Sequence, residues 1–335
     1  MQAAIYGLEG FALTDAERGF FRESEPAGFI LFKRNCDTPD QLLRLTDSLR
    51  DLTGRGDVPI VIDQEGGRVA RMKPPEWPAF PAAEAFDLLY QAAPSSAIEA
   101  VRANARALGL MLRTVKVNVD ALPLLDVRQP GATDIIGDRA LGSKPMQVAA
   151  LGRAVLDGLA SAGVVGIVKH MPGHGRALVD SHLELPVVTA SEEDLETDLE
   201  PFERLASAPM GMTAHVVYTA WDPDHPASMS PTIIGDIIRG RVGFDGFLMS
   251  DDIGMEALQG DFGARAAGVV AAGNDAALHC SGRMEEMVAV AAAVPRLSGE
   301  GEARLARAMA STMLDVEGMD FAQAIETRDT LLAQA

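Results

Sequence analysis

Eight short apolar runs, most of them rich in β-branched residues, recur along the chain with amphipathic stretches of helical period between them. The runs are residues 4–7, 28–32, 58–63, 117–122, 164–170, 210–215, 247–251 and 276–280. The stretches between them include residues 38–52, 96–112, 147–161, 192–205 and 285–294, with apolar residues at helical spacing. Eight strand–helix repeats predict an α/β fold of the closed, TIM-like (β/α)8 barrel type. An open doubly wound sheet would carry a glycine-rich phosphate turn after its first strand, and none follows residues 4–7. A length of 335 residues fits one such barrel. From about residue 302 onward two helices, 303–316 and 321–333, are expected to pack on it, so that residues 1–335 form a single catalytic unit.

Charge narrows the range of partners. With 29 Lys and Arg against 48 Asp and Glu, the net charge of −19 would repel nucleic-acid phosphates and anionic lipid, so neither is expected to bind. The two cysteines, Cys36 and Cys280, lie in no CxxC pair and suggest neither a disulfide framework nor a cysteine-based zinc site. No basic segment precedes an apolar core at the N-terminus and no run of uncharged apolar residues is long enough to span a bilayer. The expectation is a cytoplasmic protein, monomeric, without cofactor.

Polar residues collect at the C-terminal ends of the expected strands, the face where barrels place their chemistry. They are Asp63, Gln64 and Glu65, then Asp126 and Arg128, Lys169 and His170, His215, and Asp251 and Asp252. Long connections follow three of these ends, over residues 73–82, 128–145 and 171–186, in positions suited to substrate loops. His170 and His174 have the i, i+4 spacing of a zinc helix, but Pro172, Gly173 and Gly175 argue against a helix there, so no metal site is expected. Asp180 and His182 can instead act as a pair on a glycine-rich loop, the carboxylate orienting an imidazole that titrates near neutrality; a solvated loop histidine is the alternative. In Leu248–Asp252 a strand delivers adjacent carboxylates, one of which can point into the barrel mouth to attack an acetal carbon. The other reading has Asp252 capping a helix and Asp251 paired with a cation. The string from Asp63 to Arg71 sets carboxylate and guanidinium groups around a Gly-Gly turn, a combination suited to sugar hydroxyls or, alternatively, to an Asp63–Arg71 structural salt bridge.

Together these strings resemble the family 3 glycoside hydrolases and, within them, the bacterial β-N-acetylglucosaminidases of peptidoglycan recycling. The resemblance rests on residues 30–35 (ILFKRN), 63–71 (DQEGGRVAR), 126–128 (DVR), 136–140 (IGDRA), 169–175 (KHMPGHG), 180–182 (DSH), 212–216 (MTAHV) and 250–255 (SDDIGM), in family order. It implies a barrel that acts as a retaining exo-glycosidase, releasing terminal N-acetylglucosamine from muropeptide fragments. The family's nucleophile falls on Asp251 and its general acid/base dyad on Asp180 and His182. Its sugar-binding positions fall on Asp63, Arg71, Arg139, Lys169 and His170. His174 is assigned to loop structure or substrate contact. Met171 and Arg176 depart from the residues common in the family. The chain is too short for the sandwich domain that supplies an acid/base carboxylate in many β-glucosidases, which favours the histidine type. A phosphorylase or a glycosidase of other specificity, an inactive sugar-binding barrel, and a metal hydrolase using His170, His174 and His182 are the competing readings.

Overall fold

In the computed structural model, which describes residues 1–333 other than 133, 180, 182, 314, 315 and 317, the eight expected strands are all present. They are β1 (Gln2–Gly7), β2 (Pro26–Leu31), β3 (Ile60–Ile62), β4 (Val119–Asp120), β5 (Val165–Met171), β6 (Met210–Thr213), β7 (Phe247–Asp252) and β8 (Ala276–His279). Each pairs in parallel with its neighbours in chain order, and β8 returns to β1 to close the barrel. Alternation along each strand divides the apolar side chains into two cores. Ile5, Ile30, Val61, Ile167 and Met249 fill the barrel interior. Tyr6, Phe29, Ile62, Val168 and Leu248 face outward into the layer beneath the helices.

That outer layer is covered by α1 (Asp15–Ser24), α2 (Pro39–Thr53), α3 (Ala83–Ala92), α4 (Pro94–Thr114), α5 (Pro145–Ser161), α6 (Glu192–Arg204), α7 (Phe262–Ala271) and α8 (Met284–Ala293). Between β6 and β7 the covering element is a π-type helix, Ile233–Arg241, which buries Ile233, Ile234, Ile237 and Ile238. Local signals set several boundaries. Thr14 and Glu17 form a reciprocal capping box at the start of α1. Thr38 caps α2 ahead of Pro39, and Gly54 ends it with φ of 66°. Strand β4 is shorter than expected because the Asn118 side chain takes over its ladder, accepting from Ile60 N at 2.8 Å and donating to Val58 O at 3.0 Å.

The C-terminal segment contains two helices, α9 (Gly299–Met309), which starts four residues before the expected 303–316 and ends seven residues earlier, and α10 (Phe321–Leu332), close to the expected 321–333. Helix α9 stoppers the barrel, with Leu305, Ala308 and Met309 joining the same core as the inward-facing strand residues. Helix α10 lies against α4, where buried Arg328 donates to Asn104 at 3.2 Å.

Two strands break the regular register near their C-terminal ends. Between β5 and β6, Val168 pairs with Gly211 but Met171 pairs with Thr213, so three steps on β5 oppose two on β6. Between β7 and β8, Met249 pairs with Ala276 but Asp252 pairs with Leu278, again three against two. Each irregularity is a one-residue bulge, which re-aims the side chains beside it.

Leu305 is 2% exposed, and Leu305→Ala would leave a void under the barrel floor. We expect a loss of about 2–4 kcal/mol in denaturant unfolding with unaltered turnover. A stability within about 0.5 kcal/mol of the parent, the range of surface substitutions, would contradict the stopper role.

Candidate active site

A cavity of about 600 Å³ opens at the C-terminal ends of the strands, and Asp63, Arg71, Arg139, Lys169, His170 and Asp251 all line it. Six of the eight expected site residues therefore meet in one place. The other two, Asp180 and His182, lie outside the described residues. Ser181 between them lines the cavity too.

The recognition wall is built by β3, β5 and the β4–α5 loop. Lys169, 1% exposed, reaches Asp63 Oδ1 at 3.1 Å and Glu65 Oε1 at 2.7 Å. Arg139 grips the same Glu65 with two parallel hydrogen bonds of 2.8 Å. Arg71 donates to Asp63 Oδ2 at 3.0 Å and lies over the Phe32 ring at 5.0 Å. Asp63 and Arg71 thus form the salt bridge that the sequence allowed, and both still face the cavity. Burial alone would raise the Asp63 carboxyl, but the charges of Lys169 and then Arg71 hold it well below the usual range. Glu65 is likewise lowered against its burial by Lys169 and Arg139, and Lys169 is raised against its own by Glu65 and Asp63. The result is a fixed array of carboxylate acceptors and cationic donors, the equipment for gripping vicinal hydroxyls.

Close approach explains the glycines around it. Gly66 has φ of +96°, and a Cβ there would meet Pro81 O at 2.3 Å. At Gly175 a Cβ would lie 1.9 Å from Val127 O, so the loop after β5 can press on the DVR segment only with glycine. Arg68 then ties the β3 loop to the β4–α5 loop, donating to Asp138 Oδ1 at 2.6 Å and to the carbonyls of Asp134 at 2.6 Å and Ile135 at 2.9 Å. Arg176, one of the family departures, staples its own loop to α6 through Asp198 at 2.5 Å and Asp194 O at 2.8 Å. Met171, the other, packs in the outer core.

Asp126, fully buried, is a hub that sequence reasoning left without a role. Its Oδ1 accepts from the backbone N–H of His170 at 3.1 Å and of His174 at 2.7 Å, and its Oδ2 lies 2.7 Å from His170 Nδ1. Burial would raise this carboxyl, yet His170 and the donated hydrogen bonds hold it at about 2. An ionised carboxylate only accepts, so Nδ1 carries the proton and His170 turns Nε2 toward the cavity. His174 is buried, its ring centroid 5.6 Å from that of His170, with Nε2 3.3 Å from Ser181 Oγ. Its Nδ1 has no partner among the described residues. His170 and His174 sit on a strand end and the loop beyond it, as the glycines and proline implied. Among the described residues no group of three or more His, Cys, Asp or Glu is arranged to hold a metal.

Both carboxylates of the SDD string line the cavity, where the sequence reading gave one, and their environments differ. Asp252 does not cap a helix. Its Oδ1 accepts from Gly254 N at 2.9 Å and Cys280 N at 3.2 Å, and burial raises its carboxyl. Among the described residues the Asp251 carboxylate accepts one hydrogen bond, from Asp252 N at 2.8 Å. Burial opposes its ionisation, but His170 and the hydrogen bond donated by Asp252 N bring it below the usual range. Asp251 is therefore the ionised, lightly bonded carboxylate of the pair, and Asp252 the structural one. His215 lies behind the site and not in it: it is fully buried and does not line the cavity.

The chain matches the family described as glycosyl hydrolase family 3 N terminal domain over residues 5–312. It is 37% identical over 320 residues to a protein named beta-hexosaminidase from Alkalilimnicola ehrlichii, covering 93% of this chain and 89% of that one. Native NagZ from Neisseria gonorrhoeae superposes with a TM-score of 0.88 at 30% identity, over 99% of this chain and 98% of the other. The same protein in complex with N-trifluoroacetyl-D-glucosamine gives a TM-score of 0.86 at 29% identity, over 99% and 97% of the two chains.

Two outcomes follow from the buried charges. Glu65→Ala leaves Lys169 and Arg139 facing each other without their shared acceptor, and we expect a loss of about 3–5 kcal/mol in thermal or urea unfolding together with a raised KM. An unshifted unfolding curve would show the cluster to be dispensable. Burial, and then the nearby His170, pushes His174 down to about 4 from an ordinary 6.5. Between those values the unfolded chain binds a proton that the folded protein does not, so the contribution of His174 is full above about pH 6.5 and is lost progressively toward about pH 4. Stability measured across that range should fall less steeply in His174→Gln than in the parent, and equal slopes would exclude His174 as a source.

Proposed function

The chain belongs to glycosyl hydrolase family 3, and from that membership and the geometry of its cavity we propose a retaining exo-β-N-acetylglucosaminidase that works through a covalent glycosyl–Asp251 ester. The protein is a glycoside hydrolase of the β-N-acetylhexosaminidase class. The observation that carries the finer reading is the meeting of an ionised, lightly bonded Asp251 with the Asp63–Lys169–Arg71–Glu65–Arg139 array in one cavity closed by the barrel at its base.

The array binds the hydroxyls of a terminal sugar and sets its anomeric carbon against Asp251. One Asp251 oxygen attacks that carbon as the glycosidic C–O bond breaks, while the proton on His182 passes to the departing oxygen. Neutral His182 then takes a proton from water, whose oxygen attacks the same carbon, releases Asp251 and restores the β configuration. Asp180 orients His182 and stabilises its imidazolium. The positions of Asp180 and His182 in the sequence, two residues apart on the loop after β5, support these assignments. So does Ser181, which contributes to the cavity wall beside His174. A volume of about 600 Å³ leaves room beyond one sugar for part of an aglycone, in keeping with N-acetylglucosamine linked to anhydro-muramic acid, with or without its peptide. We place the enzyme in cytoplasmic peptidoglycan recycling and expect it to act as a monomer. The Neisseria gonorrhoeae relative in complex with N-trifluoroacetyl-D-glucosamine supports the sugar class.

Incubation with a slow 5-fluoro N-acetylglucosaminide, followed by peptide mass spectrometry, is expected to place the sugar on Asp251. Turnover of an aryl β-N-acetylglucosaminide by Asp251→Ala should fall by at least about 10³-fold, with folding preserved. An adduct on another side chain, or near-normal turnover in that variant, would overturn the nucleophile assignment.

A further inference from the structure

Behind the catalytic face lies a polar chain that the mechanism above does not use. Thr213, His215, Ser228 and Asn274 come from β6, from the turns that follow it and from the turn before β8, and none is more than 4% exposed. Their hydrogen bonds have one consistent direction. Thr213 Oγ1 donates to Asn274 Oδ1 at 2.9 Å, and Asn274 Nδ2 donates to the carbonyls of Ser228 at 2.8 Å and Val269 at 2.7 Å. Both ends of the Asn274 amide are thereby fixed, and Ser228 with them. Ser228 Oγ lies 2.6 Å from His215 Nδ1, and His215 Nε2 lies 3.0 Å from the carbonyl oxygen of Asp252. A carbonyl can only accept, so Nε2 must carry the proton; Nδ1 is then the acceptor and the Ser228 hydroxyl donates to it. Burial, which pushes His215 below its ordinary pKa, agrees with a neutral ring.

The far end of this chain is the residue that holds Asp251. Asp252 is fixed at its carbonyl by His215 and at its side chain by Gly254 N and Cys280 N, and its own N–H is the donor to Asp251 Oδ1 at 2.8 Å. A bulge interrupts the β7–β8 ladder between Met249 and Asp252, and although pairing with β8 resumes at Asp252–Leu278, pairing with β6 ends at Ser250–Thr213, so on that side the Asp252 carbonyl is held by His215 and by the turn hydrogen bond from Met255 N at 3.1 Å. We propose that His215, locked as its Nε2–H tautomer by Ser228, is a positioning residue that holds the Asp252 carbonyl where the pairing with β6 has ended and keeps Asp251 aimed at the anomeric carbon. It touches neither the cavity nor the sugar and acts only through Asp252. The inference rests on the reading of Asp251 as nucleophile.

The whole protein serves for the test. Trapping on the parent enzyme comes first: an adduct away from Asp251 would remove the nucleophile reading, and this inference with it. With the adduct on Asp251, kcat and KM for an aryl β-N-acetylglucosaminide are compared for His215→Ala, His215→Gln and Ser228→Ala. His215→Ala should lose roughly 10- to 100-fold in kcat with KM within about twofold, since a small misplacement of the reacting group costs rate more than binding. The Gln amide can still donate to the Asp252 carbonyl, so His215→Gln should retain at least about a fifth of parental kcat. Ser228→Ala should fall between the two. Unchanged kcat in a folded His215→Ala, equal losses in the Ala and Gln variants, or a change confined to KM would each overturn the proposal. Should His215→Ala fail to fold, unchanged kcat in Ser228→Ala overturns it and a reduced kcat with unaltered KM supports it.

Discussion

A β-strand offers only every second side chain to the inside of a barrel, and the active site depends on two strands that depart from this rule at their last turn. The bulges in β5 and β7 let neighbouring residues, Lys169 with His170 and Asp251 with Asp252, line the same cavity. Without them one member of each pair would turn outward among the helices. The departure costs ladder hydrogen bonds, and local groups take their place. Asp126 holds the backbone of His170 and His174, while Gly254, Cys280 and His215 hold Asp252.

The same constraint marks where sequence reading succeeded. Strands β1, β2, β5 and β7 are long apolar runs and were legible as such, and the order of repeats sufficed for the closed barrel. Helices α1, α3, α7 and the Ile233–Arg241 segment escaped, α1 even though it is amphipathic and carries a capping box. Helix α7 is nearly all apolar, and the π-type segment does not follow the period of 3.6. Acidic and basic residues at strand ends were visible too, because polar groups after an apolar run have few other places to go. The pairing of consecutive residues was not visible: a period of two predicts one inward carboxylate in SDD, and a bulge leaves no mark in the residue types. Asp126 and Glu65 were seen in their strings, but their roles are long-range contacts that only the folded chain defines. His215 stands just past its strand end, as read, but its burial and its place outside the cavity wall are likewise defined only by the folded chain.

Electrostatics then separates carboxylates that look alike in sequence. Asp63 and Glu65 are surrounded by Lys169, Arg71 and Arg139, which hold them ionised and also occupy much of their hydrogen-bonding capacity. A buried cluster of this kind adds little net stability, because desolvation offsets most of the attraction, but it fixes directions firmly. Asp252 is held at Oδ1 by two backbone donors and is shifted up by burial. Among the described carboxylates of the cavity, Asp251 combines ionisation with a single backbone hydrogen bond and an open side toward the cavity. These are the properties a nucleophile needs and a hydroxyl-binding group does not.

Such a nucleophile implies two successive inversions at the anomeric carbon, so stereochemistry reports on the central claim directly. Proton NMR of the first-formed N-acetylglucosamine, recorded before mutarotation, should show the β-anomer. The α-anomer as first product would mean that water attacks the substrate itself, and the assigned role of Asp251 would be wrong.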